Sequence, residues 1–98
     1  MELRTASSPR DVKTYDTARL REEFLIDDLF TVDEIKLVYS HIDRIITGST
    51  VPVVESLSLS SGAELHAAYF LERRELGIIN IGGEGSVTVE GKVYNLRH

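Results

Sequence analysis

Apolar and polar positions follow two rhythms along this chain, and the rhythm changes near residue 30. Before it, Leu20 and Phe24 stand one helical turn apart with Glu22 and Glu23 between them, the spacing of a short amphipathic helix. Asp16 precedes that stretch as an N-cap. Ser8-Pro9-Arg10-Asp11 marks an earlier helix start, with a capping hydroxyl, proline in the first turn and an acid near the positive helix end. From there on the runs are short and rich in β-formers. Ile35 to Ser40 begins by alternating apolar and polar, as a half-buried strand does, and Asp43-Arg44-Ile45-Ile46 reads as its neighbour, ended by Thr47-Gly48-Ser49. Pro52 has no N–H for a ladder and predicts an edge or a strand start. Ser56-Leu57-Ser58-Leu59-Ser60 alternates again, and strands are expected over Leu65 to Leu71 and Leu76 to Ile81. Ser86 to Leu96 reads as a hairpin turning at Glu90-Gly91. Many short strands without a long helix between them predict a mainly β, antiparallel barrel or sandwich over 31–98, behind a helical segment over 1–30.

Composition narrows the class without naming a function. Ninety-eight residues allow one domain at most; 42% are hydrophobic and 28% charged, ordinary values for a globular protein. A formal net charge of −5 excludes a broad basic footprint for nucleic acid. With no cysteine there is neither disulfide nor thiolate metal site. No apolar run approaches the roughly 20 residues of a membrane span, and no signal-peptide core follows Met1, so a soluble cytoplasmic setting is expected.

One spacing speaks to fold family. Glu75 and Gly82 are separated by six residues and followed by the glycine-turned hairpin, which resembles the first half of a cupin barrel. A metal-binding cupin places two histidines one residue apart, three or four residues before that glutamate. Those positions hold Ala68 and Phe70, or Tyr69 and Leu71, none of which can ligate zinc or iron. His66 lies near but alone. The expectation is a half-barrel packed for structure, with no metal bound by this chain.

Two polar clusters carry the remaining candidate chemistry. In Ser40-His41-Ile42-Asp43-Arg44, His41 is a candidate general base oriented by Asp43, with Arg44 gripping a carboxylate. Against that stands a turn or strand edge whose charges pair locally. The plainer reading is preferred, since neighbours in a strand alternate faces and cannot all converge. Glu72-Arg73-Arg74-Glu75 invites the same comparison: on a strand Arg73 and Arg74 point to opposite sides, so at most one faces a cavity. That cluster reads as a solvated strand start or an intersubunit ion-pair network. Gly82-Gly83-Glu84-Gly85 is glycine-rich, but it joins two strands and so is a turn, not a phosphate cradle.

Three longer segments resemble one enzyme family: Leu20 to Leu25, Val38 to Ile46, and Tyr69 to Gly83. They resemble the N-terminal part of the 5-keto-4-deoxyuronate isomerases (4-deoxy-L-threo-5-hexosulose-uronate ketol-isomerases), and the resemblance spans nearly all 98 residues. It implies a two-cupin, oligomeric enzyme of pectin breakdown in the bacterial cytoplasm, interconverting 5-keto-4-deoxyuronate and 3-deoxy-2,5-diketogluconate. The family's zinc is held by histidines and a glutamate of its C-terminal cupin. No zinc ligand, cofactor-binding residue or catalytic residue is therefore carried onto this chain, which is expected to be an inactive N-terminal part covering 31–98 of a first cupin. Alternatives are a non-catalytic sugar-acid-binding half-cupin, with Arg44 or Arg73 clamping a uronate, and an oligomerisation module that buries its open edge against its own copies.

Overall fold

In the computed structural model, which describes residues 1–98, both helices begin where a capping side chain stands. Ser8 Oγ accepts the Arg10 N–H at 3.2 Å and starts α1 (Pro9–Val12). Asp16 Oδ1 accepts the Arg19 N–H at 2.8 Å and starts α2 (Thr17–Phe24). An eight-residue helix is marginal on its own. The Leu20–Phe24 face of α2 packs on no core; with Thr17, Arg21 and Leu25 it lines an open hollow.

Three strands form the first sheet in spatial order β1 (Glu2–Arg4), β2 (Ile35–Ser40), β3 (Ile45–Thr50). β2 and β3 pair antiparallel, with Tyr39 opposite Ile46. β1, which the hydrophobic pattern did not reveal, pairs parallel to β2 with Leu3 beside Tyr39. The central strand carries two of the chain's three buried residues, Val38 and Tyr39; the third is Phe70. β3 begins at Ile45 and not at Asp43, because Asp43 and Arg44 have φ of 55° and 51° and belong to the turn. Gly48 faces Leu37, and a Cβ there would come within 2.6 Å of the Lys36 carbonyl oxygen, so the register admits only glycine. Pro52 lies two residues past the end of β3, an edge strand, where a missing N–H costs no ladder bond.

The second sheet is a hairpin of β4 (Gly85–Val89) and β5 (Lys92–Leu96). Glu90 and Gly91 turn it with φ of 49° and 79°, the double positive φ of a type I′ turn, whose twist matches that of paired strands. Three expected strands do not form. Ser56 to Ser60 is irregular. Leu65 to Leu71 is instead a 3₁₀ turn (Ala63–Leu65), a left-handed His66 (φ 48°) and further turns. Leu76 to Ile81 is extended chain without a ladder. Each has strand-like side chains and no neighbour to pair with.

The result is mainly β with few helices, and it is open. A compact monomer of 11.0 kDa exposes about 5,600 Å², whereas this chain exposes 8004 Å². Its radius of gyration is 15.8 Å, against about 13 Å for a compact chain of this length. Only 29 backbone–backbone hydrogen bonds form, where a folded chain of this length makes about 65. No helix is long and apolar enough to cross a membrane.

Candidate functional site

The turn between β2 and β3 holds the first polar cluster. The His41 N–H donates to the Arg4 carbonyl at 2.9 Å, prolonging the β1–β2 pairing, and the Ile42 N–H donates to Ser40 Oγ at 3.1 Å. The His41 imidazole packs edge-on against the Tyr39 ring, centroids 5.0 Å apart, instead of engaging Asp43. His41, Asp43 and Arg44 are all exposed. The cluster is a turn, as the plainer reading has it, but its charges do not pair with one another as that reading expected, and no base–carboxylate pair is assembled.

The second cluster behaves differently. Glu72 folds back so that its carboxylate accepts the Ala68 N–H at 2.7 Å, while its own N–H donates to the Tyr69 carbonyl. The segment is therefore turned and not a strand start, and strand alternation does not apply to it. This overturns the expectation that at most one of Arg73 and Arg74 faces a cavity. Both line a cavity of about 350 Å³, together with Arg44 from the β2–β3 turn and with Leu65, Ala67 and Phe70. Arg74 is fixed: its guanidinium carbon lies 5.0 Å from the Tyr39 ring centroid, one NH₂ group donates to Tyr39 Oη at 3.2 Å, and the other donates to the Arg44 carbonyl at 3.3 Å. The chain's three ion pairs, Arg4–Glu2, Arg19–Glu23 and Lys36–Asp28, involve none of these arginines. Glu75 is exposed and makes no ion pair.

Around the glycine-rich segment, Asn80 accepts the Gly82 N–H and donates to the Gly83 and Leu96 carbonyls, and His98 Nδ1 lies 3.1 Å from the Gly82 oxygen. β4 follows at Gly85, so the segment is a turn sewn to β5 and presents no helix N-terminus to a phosphate. No three His, Cys, Asp or Glu side chains gather in a way that holds a metal ion; His66 lies on its exposed turn without such partners.

No family model matches the chain. Among curated proteins it is 71% identical over 98 residues to a 4-deoxy-L-threo-5-hexosulose-uronate ketol-isomerase of Lachnoclostridium phytofermentans, 58% identical over 98 residues to that of Lachnospira eligens, and 48% identical over 100 residues to that of Escherichia coli. The alignments cover 100% of this chain and 36%, 35% and 36% of the respective relatives. The chain thus spans about a third of the length of the curated relatives it matches. Over that third, and along all its own residues, the chain is similar in sequence to proteins of that name.

Proposed function

We propose that this chain is the N-terminal part of an isomerase that converts 5-keto-4-deoxyuronate to 3-deoxy-2,5-diketogluconate, and that its own role is structural. The observation that carries the reading is 71% and 58% identity to enzymes of that name over the full length of the chain. The reaction class is an aldose–ketose shift. A proton leaves the carbon beside a carbonyl and one returns to the neighbouring carbon. His41 and Asp43, the candidate base and its orienting carboxylate, do not engage each other; His41 packs on Tyr39 instead.

The donor set does not fit a zinc site: Ala68, Tyr69, Phe70 and Leu71 occupy the places where a cupin presents histidines, and no other three donors converge. On this reading the family's zinc belongs to residues beyond these 98. The sheet of β1–β3 and the β4–β5 hairpin are taken as pieces of a cupin-like barrel, supported by the Glu75-to-Gly82 spacing and the type I′ hairpin that follows it.

The test is turnover of 5-keto-4-deoxyuronate by the whole protein that carries this sequence, followed by proton NMR, beside the 98-residue chain alone. The whole protein is expected to interconvert the two sugar acids and the chain alone to stay at the buffer rate. Turnover by the chain alone overturns the structural role; an inert whole protein overturns the isomerase assignment.

A further inference from the structure

We propose that the cavity between Arg44, Arg73 and Arg74 is a binding site for a small carboxylate with a carbon skeleton, of the sugar-acid class. Three arginines from two separate turns line this one cavity, in a chain whose net charge is −5 and whose ion pairs include none of them. Cations brought together without a counter-charge repel one another, and an anion between them removes that cost. The three also divide the work. Arg74 is braced by the Tyr39 ring, the Tyr39 hydroxyl and the Arg44 carbonyl. Arg44 and Arg73 commit their side chains to no protein group, so their N–H forks stay free for two-point bonding to a planar carboxylate.

The rest of the lining sets the ligand's other end. Leu65, Ala67 and the buried Phe70 supply the apolar part of the wall. A wall of that kind suits carbon-bound hydrogens more than a fully charged ion such as inorganic phosphate. The volume, about 350 Å³, falls at the small end of ligand pockets, which run from roughly 300 Å³ upward. The choice of a uronate rests on the proposed isomerase reading; the anion site itself rests only on the geometry.

The experiment maps arginine reactivity toward phenylglyoxal in the whole protein by peptide mass spectrometry, with D-galacturonate, D-galactose or inorganic phosphate added. Galacturonate at about ten times its Kd is expected to slow modification of Arg44 and Arg73 roughly tenfold, as simple occupancy requires. Exposed Arg10 and Arg97 should react as before, and galactose should protect nothing. In the Arg73→Gln variant, protection of Arg44 should fall away. The proposal is overturned if galactose protects equally, if phosphate protects at lower concentration than galacturonate, or if Arg73→Gln leaves Arg44 fully protected. It is likewise overturned if Arg44 and Arg73 are unreactive from the outset, since the cavity is then filled by other parts of the protein. Turnover measured on the same preparation reports separately on the isomerase reading.

Discussion

At the scale of single residues, Asp33 does the most with the least burial. Its backbone is left-handed, φ 55°, a conformation aspartate tolerates better than most residues. Its N–H donates to the Val51 carbonyl at 2.8 Å, and its Oδ1 accepts the N–H groups of Val53 and Val54 at 2.7 and 2.9 Å. The chain leaving β3 is thereby folded back over Pro52. The Val53 and then Val54 amides favour the ionised carboxyl and hold it below its ordinary value of 3.8. A depressed carboxyl contributes stability above its unfolded value, and that contribution is lost as pH falls through the folded one. Protection of the Val53 and Val54 amides against hydrogen exchange should therefore hold above pH 3.8 and collapse below it. An Asp33→Ala variant should lack that protection at every pH. Equal protection factors in the two proteins at neutral pH would show that the carboxylate does not hold the loop.

At the scale of elements, what could be read in advance is what neighbours in sequence decide. Ser8 and Asp16 cap helices because the N–H groups they bond lie two or three residues away. Glu90-Gly91 turns a hairpin because both residues accept positive φ and the flanking strands alternate. Strands are different: alternation predicts a face, but a ladder needs a partner. Ser56 to Ser60, Leu65 to Leu71 and Leu76 to Ile81 have the pattern and no partner here. The candidate site follows the same rule. Arg44, Arg73 and Arg74 were visible as charges, yet that they line one cavity was hidden, because a strand would send Arg73 and Arg74 to opposite sides whereas this segment is turned. β1 was hidden for a simpler reason, since three residues carry no period. The hairpin offers a direct test at this scale. A β-branched side chain at Gly91, where φ is 79°, meets the left-handed penalty, about 1–2 kcal/mol per residue. Gly91→Val should accordingly lower hairpin stability by about that amount, read as faster exchange of the β4–β5 amides. Gly91→Asn, which tolerates the same φ, should recover most of it.

At the scale of the whole molecule, the dominant fact is apolar surface without a cover. Ile79 is 88% exposed, Val54 86% and Ile81 63%, and the surface as a whole exceeds that of a compact monomer by about 2,400 Å². Covering apolar surface yields about 25 cal/mol per Å², so even a fraction of that excess exceeds the cost of bringing two chains together, an estimated 4–15 kcal/mol. β3 and both strands of the hairpin also have unpaired edges, whose free N–H and C=O groups add directional bonds to any strand laid alongside. The opposing term is a net charge of −5, spread over the surface and screened beyond about 8 Å at physiological salt. Burial should win, and the isolated 98-residue chain should form dimers or larger symmetric assemblies. Sedimentation equilibrium at roughly tens of micromolar, within the reach of specific but weak association, provides the measurement. The expected mass exceeds that of one chain and changes little between low and high salt, because covered apolar area supplies most of the drive. A compact monomer would mean that Ile79, Ile81 and Val54 find cover within their own chain. An assembly that dissolves at high salt would assign the drive to ion pairs instead.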